Sequence, residues 1–165
     1  MLVLVLIAAT FAAVDPQVWI FARTDCPISN RYAPAMEALY RKYSGEHIQF
    51  LLVYSEPGAT KLSIEKHRAE YRLTIPYEID SKHERVRRAG IRATPEAAVF
   101  GRNGALVYRG RIDDREAILG TTRRSNVRKN DLDEVLNLVA TGKPPNFRTT
   151  RAIGCAIERP EQMVH

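Results

Sequence analysis

Apolar and polar positions along this chain alternate between two periods. Residues 18–22, Val-Trp-Ile-Phe-Ala, form a short unbroken apolar run of the kind a strand buried on both faces requires, and residues 48–54 form a second. Between them Tyr32, Met36, Leu39, Tyr40 and Tyr43 recur at three- and four-residue spacing. That spacing predicts a helix over 28–43, with Pro27 in its first turn and Ser44-Gly45 as its stop. Pro34 falls inside the pattern and predicts a kink or a break, since it removes one helical hydrogen bond. A turn at Glu56-Pro57-Gly58 leads into a second predicted helix over 60–73, with Leu62, Ile64, Ala69, Tyr71 and Leu73 as its apolar positions.

The second half reads as a short extended piece at 77–79, a charged helical turn at 81–89 closed by Gly90, and two strands at 96–100 and 105–110. Asn103-Gly104 between those strands is a strong hairpin signal, because both positions tolerate the positive φ that a tight turn needs. Residues 111–126 are polar and predicted irregular. Asp131 is predicted to cap a last helix over 132–141, whose Leu132, Val135, Leu136 and Val139 share one side. Gly142-Lys143-Pro144-Pro145 ends it. Strands alternating with helices, then a hairpin and a covering helix, predict an α/β layered domain. The expected organisation is a leader at 1–13, a domain at 14–142 and a tail at 143–165 carrying Cys155.

At 165 residues and 45% hydrophobic, the chain has material for one well-formed core and not for two. Residues 1–14 carry no charge, and 2–13 have the length and composition of a secretory signal's apolar region, too short to span a bilayer. Export is therefore expected, to the periplasm or another extracytoplasmic space, with no stable membrane insertion after processing. The formal charge of +6 is concentrated in Arg109, Arg111, Arg115, Arg123, Arg124, Arg128 and Lys129. Asp113, Asp114 and Glu116 interrupt that run and no aromatic residue interleaves for base stacking, so it reads as a solvated face and no nucleic-acid partner is expected.

Two cysteines, Cys26 and Cys155, lie 129 positions apart. They permit one disulfide and exclude a zinc site built of cysteines alone, and the four histidines show no ligand spacing; neither metal nor cofactor is expected. A purely structural bond closing so long a loop could stabilise the fold by about 5 kcal/mol. Cys26 also has the position for chemistry, where an apolar strand gives way to a helix. Unpaired N–H groups and the positive dipole end at such a junction favour the thiolate, the reactive form of sulfur. The Ser29 hydroxyl, one turn along, is expected to donate to that sulfur. Asp25 opposes the anion if it points inward, and Arg23 or Arg31 could offset it.

Two segments carry a resemblance. Asp25-Cys26-Pro27-Ile28-Ser29 after an apolar strand, and Gly90-Ile91-Arg92-Ala93-Thr94-Pro95 running into Glu96 to Phe100, are similar to the thioredoxin-like superfamily in its redoxin branch. That branch includes the alkyl hydroperoxide reductase and thiol-specific antioxidant (AhpC/TSA) peroxiredoxins and the exported TlpA/ResA-like oxidoreductases. The resemblance covers roughly residues 18–140 and implies a central mixed sheet of about four to five strands flanked by helices. It implies that Cys26 is the attacking thiolate of a thiol–disulfide oxidoreductase, that Thr94 and Pro95 form a cis-proline loop pairing with a thiol or disulfide protein substrate, and that Pro27 and Ser29 border that site. Ser29 stands where thioredoxins place a second cysteine, so exchange within a Cys-x-x-Cys pair is excluded. Cys155 as a distant resolving cysteine, an external thiol, and a domain that binds partners or handles metal without catalysis all stay open. Peroxidase chemistry is disfavoured, because Arg23 occupies the position three before Cys26 where peroxiredoxins carry Thr or Ser, and the hydroxyl is displaced to Thr24.

Overall fold

The computed structural model describes residues 14–118, 122–123 and 127–157; the leader expected at 1–13 lies outside them. Its elements are β1 (Gln17–Ala22), α1 (Pro27–Tyr43), β2 (Gln49–Tyr54), α2 (Lys61–Tyr71), β3 (Tyr77–Ile79), α3 (Glu84–Ala89), β4 (Ala93–Thr94), β5 (Glu96–Phe100), β6 (Leu106–Gly110), β7 (Glu116–Ile118), β8 (Thr122–Arg123), α4 (Asp131–Ala140), β9 (Arg148–Thr149) and β10 (Cys155–Ala156).

The main sheet has six strands in the order β3-β2-β1-β5-β6-β9. The first three are parallel, β5 runs antiparallel to both β1 and β6, and β9 pairs parallel to β6. The sheet is thus mixed, as expected, but one strand wider than the four to five anticipated, because Tyr108 and Arg109 pair with Arg148 and Thr149 of the segment read as a tail. Alternation along β1 divides the core between two faces. Val18, Ile20 and Ala22 join Tyr32, Met36, Ile64, Leu132 and Leu136, while Trp19 and Phe21 join Val86, Ile91, Phe100 and Ile157.

Several local expectations are corrected. α1 runs unbroken through Pro34, since Tyr32, Ala33 and Met36 are buried around it and their packing outweighs one missing hydrogen bond. α2 starts from a reciprocal Thr60/Ser63 capping box and ends on Arg72 in the left-handed region; Leu62 points outward, 81% exposed, and His67 takes a place on the buried side instead. Asn130, not Asp131, occupies the cap position of α4, and Asp131 is the buried first residue of that helix. Within 111–126, read as irregular, Glu116–Ile118 and Thr122–Arg123 pair as a small antiparallel ribbon. Arg111 and Arg115 are drawn out of the expected solvated face into contacts with Asp131 and Asp113; Arg124 lies outside the described residues.

Candidate functional site

β1 delivers the chain to a turn, Arg23 to Asp25, and Cys26 follows as the cap of α1 with extended backbone. Pro27 at the first helical position has no N–H to satisfy, and the sulfur accepts from the backbone N–H of Ser29, the third helical residue, at 3.4 Å. The backbone therefore does what was expected of the Ser29 hydroxyl. That hydroxyl is buried and has no hydrogen-bond partner among the described residues. Asp25 does not face the sulfur either: it is exposed and grips the Arg23 guanidinium through two contacts of 2.9 Å, which holds its carboxyl below the usual carboxylate range. Arg31 reaches Glu116 instead.

Across from the sulfur lies β4, and the Thr94–Pro95 peptide that follows it is cis. The Thr94 carbonyl oxygen stands 3.3 Å from the Cys26 sulfur. Thr94 and Pro95 are both buried, Pro27 next to Cys26 is exposed, and the contact between the Cys26 sulfur and the Thr94 carbonyl brings the two candidate segments together.

Cys26 and Cys155 are joined in a disulfide, with Cα atoms 6.1 Å apart. The tail reaches the sulfur by forming β10, antiparallel to β4, with Cys155 opposite Thr94 and Ala156 opposite Ala93. The Ile157 N–H continues the ladder to the Arg92 carbonyl at 3.0 Å, and an Arg23 Nη1 donor holds the Ala156 carbonyl at 3.3 Å. Under this strand Cys26 is 1% exposed. Gly154 is required by proximity, because a Cβ built there would run into the Thr94 carbonyl. Beside β4 a cleft of about 600 Å³ is lined by Arg92, Arg109 and Arg151 around Glu96. Burial raises the Glu96 carboxyl above its usual range although the N–H groups of Arg92 and Ala93 donate to it.

A buried polar chain that sequence reading missed supports the Cys26 turn. The Asn30 amide donates to the Thr24 carbonyl at 3.2 Å and accepts from His67 Nε2 at 2.9 Å, while His67 Nδ1 meets the Tyr54 hydroxyl at 2.9 Å. Glu56 accepts from the Thr24 N–H at 3.0 Å. Only the burial of His67 on α2, which no apolar periodicity announces, could have signalled it. Burial pushes the His67 imidazole below its ordinary range. The unfolded chain therefore takes up this proton first as the pH falls below about 6.5, and the folded state loses stability until His67 itself is protonated. Urea titrations should show His67→Gln with a flatter stability profile than the wild type between about pH 7 and about pH 5; parallel profiles would remove His67 from the account.

Among the described residues no group of three or more His, Cys, Asp or Glu side chains is placed to hold a metal ion, and no helix is long and apolar enough to cross a membrane.

Solved structures share this architecture. A hypothetical protein from Sinorhizobium meliloti matches with a TM-score of 0.74 and 23% identity, over 90% of this chain and 82% of its own. An uncharacterized conserved protein from Geobacillus kaustophilus gives 0.72 and 23%, over 90% and 80%. A secreted Mycobacterium tuberculosis disulfide oxidoreductase, homologous to E. coli DsbE, gives 0.52 and 17%, over 79% and 84%. No family model and no curated protein sequence matches the chain. With a helix-capping cysteine set against a cis-proline loop on a mixed sheet, and with these neighbours, the chain has the thioredoxin-like fold.

Proposed function

We propose that this protein is an exported, redoxin-type thiol–disulfide oxidoreductase in which Cys26 attacks and Cys155 resolves. The observation that carries the reading is the Cys26–Cys155 disulfide at the mouth of α1, with the tail paired along β4. In the reduced protein the Ser29 N–H and the end of α1 are placed to stabilise a Cys26 thiolate. That thiolate attacks one sulfur of a substrate disulfide, a Cys26–substrate bond forms, and the other substrate sulfur leaves as a thiolate. The Cys155 thiolate then attacks the Cys26 sulfur, the Cys26–Cys155 bond forms, and the second substrate sulfur departs. Two electrons pass from the two cysteines to the substrate; run backwards, the same steps oxidise a dithiol, and the partner's potential sets the direction. Thr94 and Pro95 supply the backbone edge for the guest chain, with Pro27 and Ser29 bordering it.

Export is supported by the uncharged residues 1–14 and by a disulfide of a kind that persists in oxidising compartments. The near-complete burial of Cys26 favours a second reading, a structural bond in a binding module. Mass spectrometry of reduced variants given oxidised glutathione separates the two. Cys155→Ser should accumulate a mixed disulfide at Cys26, and Cys26→Ser should yield none through this site. Absence of an adduct at Cys26 in the first variant would leave the structural reading standing.

A further inference from the structure

We propose that the groove along β4 selects polypeptide disulfides in which glycine immediately precedes the cysteine and an aliphatic residue stands two places after it, the pattern Gly-Cys-x-aliphatic. The inference rests on the reading of Thr94–Pro95 as a polypeptide site, and takes the chain's own tail as the image of its guest.

Each position of the tail meets a different demand. Cys155 lies opposite Thr94, which fixes the register at the reacting sulfur. In that register the preceding residue passes directly over the Thr94 carbonyl: a Cβ on Gly154 would collide with that oxygen and approach the Pro95 nitrogen to 3.2 Å. Thr94 is 0% exposed and its carbonyl oxygen is held against the Cys26 sulfur, so the backbone has nowhere to retreat. Ala156 is exposed, so the side chain after the cysteine is unconstrained while its carbonyl is held by Arg23. Ile157 is 7% exposed and enters the core of Trp19, Phe21, Ile91 and Phe100. A charged side chain at that place would lose its water without gaining a partner. A guest chain that follows the same ladder therefore meets one position closed to any Cβ, one open, and one apolar.

The test uses the full-length reduced Cys155→Ser variant and three peptides, Ile-Gly-Cys-Ala-Ile, Ile-Ala-Cys-Ala-Ile and Ile-Gly-Cys-Ala-Asp, each activated as a disulfide with thionitrobenzoate. The Cys26 thiolate attacks the peptide sulfur, the Cys26–peptide bond forms, and thionitrobenzoate leaves and is read by its absorbance. The tail competes equally with every peptide, and each rate is normalised to that with free glutathione. The first peptide should react roughly tenfold or more faster than either of the others, the ratio expected of an overpacked or unpaired buried contact. Independently, Gly154→Ala in the chain with both cysteines should lower the equilibrium constant of the Cys26–Cys155 bond against dithiothreitol by a similar factor, with Ala156→Ser unchanged. Equal normalised rates, or an unaltered constant in Gly154→Ala, overturn the selection while leaving exchange at Cys26 intact. No reaction with any disulfide, including the peptide-free reagent, overturns the exchange reading and the selection with it.

Discussion

Cys155→Ser should lower the free energy of unfolding by about 5 kcal/mol, the effect of releasing a loop of this length in the unfolded chain. The bond spans 129 positions, nearly the whole domain from the first turn of α1 to the last described strand, so its loss frees almost every long-range constraint on the unfolded ensemble. Few other single contacts here approach that size, because surface ion pairs such as Lys42 with Asp133 contribute roughly 1 kcal/mol or less. Urea titration of the oxidised wild type, the reduced wild type and Cys155→Ser checks it. The last two should coincide, with midpoints roughly 2 M below the first. Coincidence of all three curves would show that the bond contributes nothing to the fold. By linkage, whatever the bond adds to folding, folding adds to the bond, so a partner that reduces it works against the folded domain's preference for the closed tail.

That closed tail is where sequence reading and structure part company. β1, β2, the hairpin around Asn103-Gly104 and the amphipathic α1 and α4 were legible because each announces itself within its own segment, by an apolar run, a turn dipeptide or a helical repeat. β9 and β10 are two residues each and carry no such signal. Arg148-Thr149 becomes a strand only because β6 offers an edge, and Cys155-Ala156 only because β4 does. The same holds within the site. Cys26 at a helix start and Thr94-Pro95 before a strand are local patterns and could be named from residues alone. The Ser29 hydroxyl was assigned a task that the Ser29 N–H performs, since spacing gives proximity but not which atom faces the sulfur. Arg23 could be matched to Asp25 two residues away, but its contact with the Ala156 carbonyl spans 133 positions, and nothing in the intervening sequence encodes it.

The root of the tail offers the second large effect. Asp131, 1% exposed at the start of α4, accepts from Arg111 Nε at 2.7 Å and from Arg148 Nη2 at 3.0 Å, so one buried carboxylate ties the end of β6 and the start of β9 to a helix N-terminus that itself favours negative charge. Burial is the largest single influence on Arg111 and works against its charge, but the hydrogen bond to Asp131 together with the negative charge of Asp131 and Asp114 outweighs it and raises the guanidinium above its ordinary range. Two residues after Arg148, Thr150 donates its N–H to the Arg109 carbonyl and takes the Arg111 N–H on its hydroxyl, which aims the tail towards Cys26. Asp131→Ala removes the shared anion, takes this carboxylate from Arg111 and leaves Arg148 only the more exposed Glu134, at a cost of about 3 kcal/mol. Asp133→Ala, on the same helix but more exposed, should cost less than about 1 kcal/mol. Because Arg148 begins the segment that carries Cys155, Asp131→Ala should also be reduced faster by dithiothreitol than the wild type, whereas Asp133→Ala should not. Denaturation and reduction rates measured on the same preparations separate a general loss of stability from a loosened tail: a destabilised Asp131→Ala with an unchanged reduction rate would mean that β9 holds the tail without its arginine anchor.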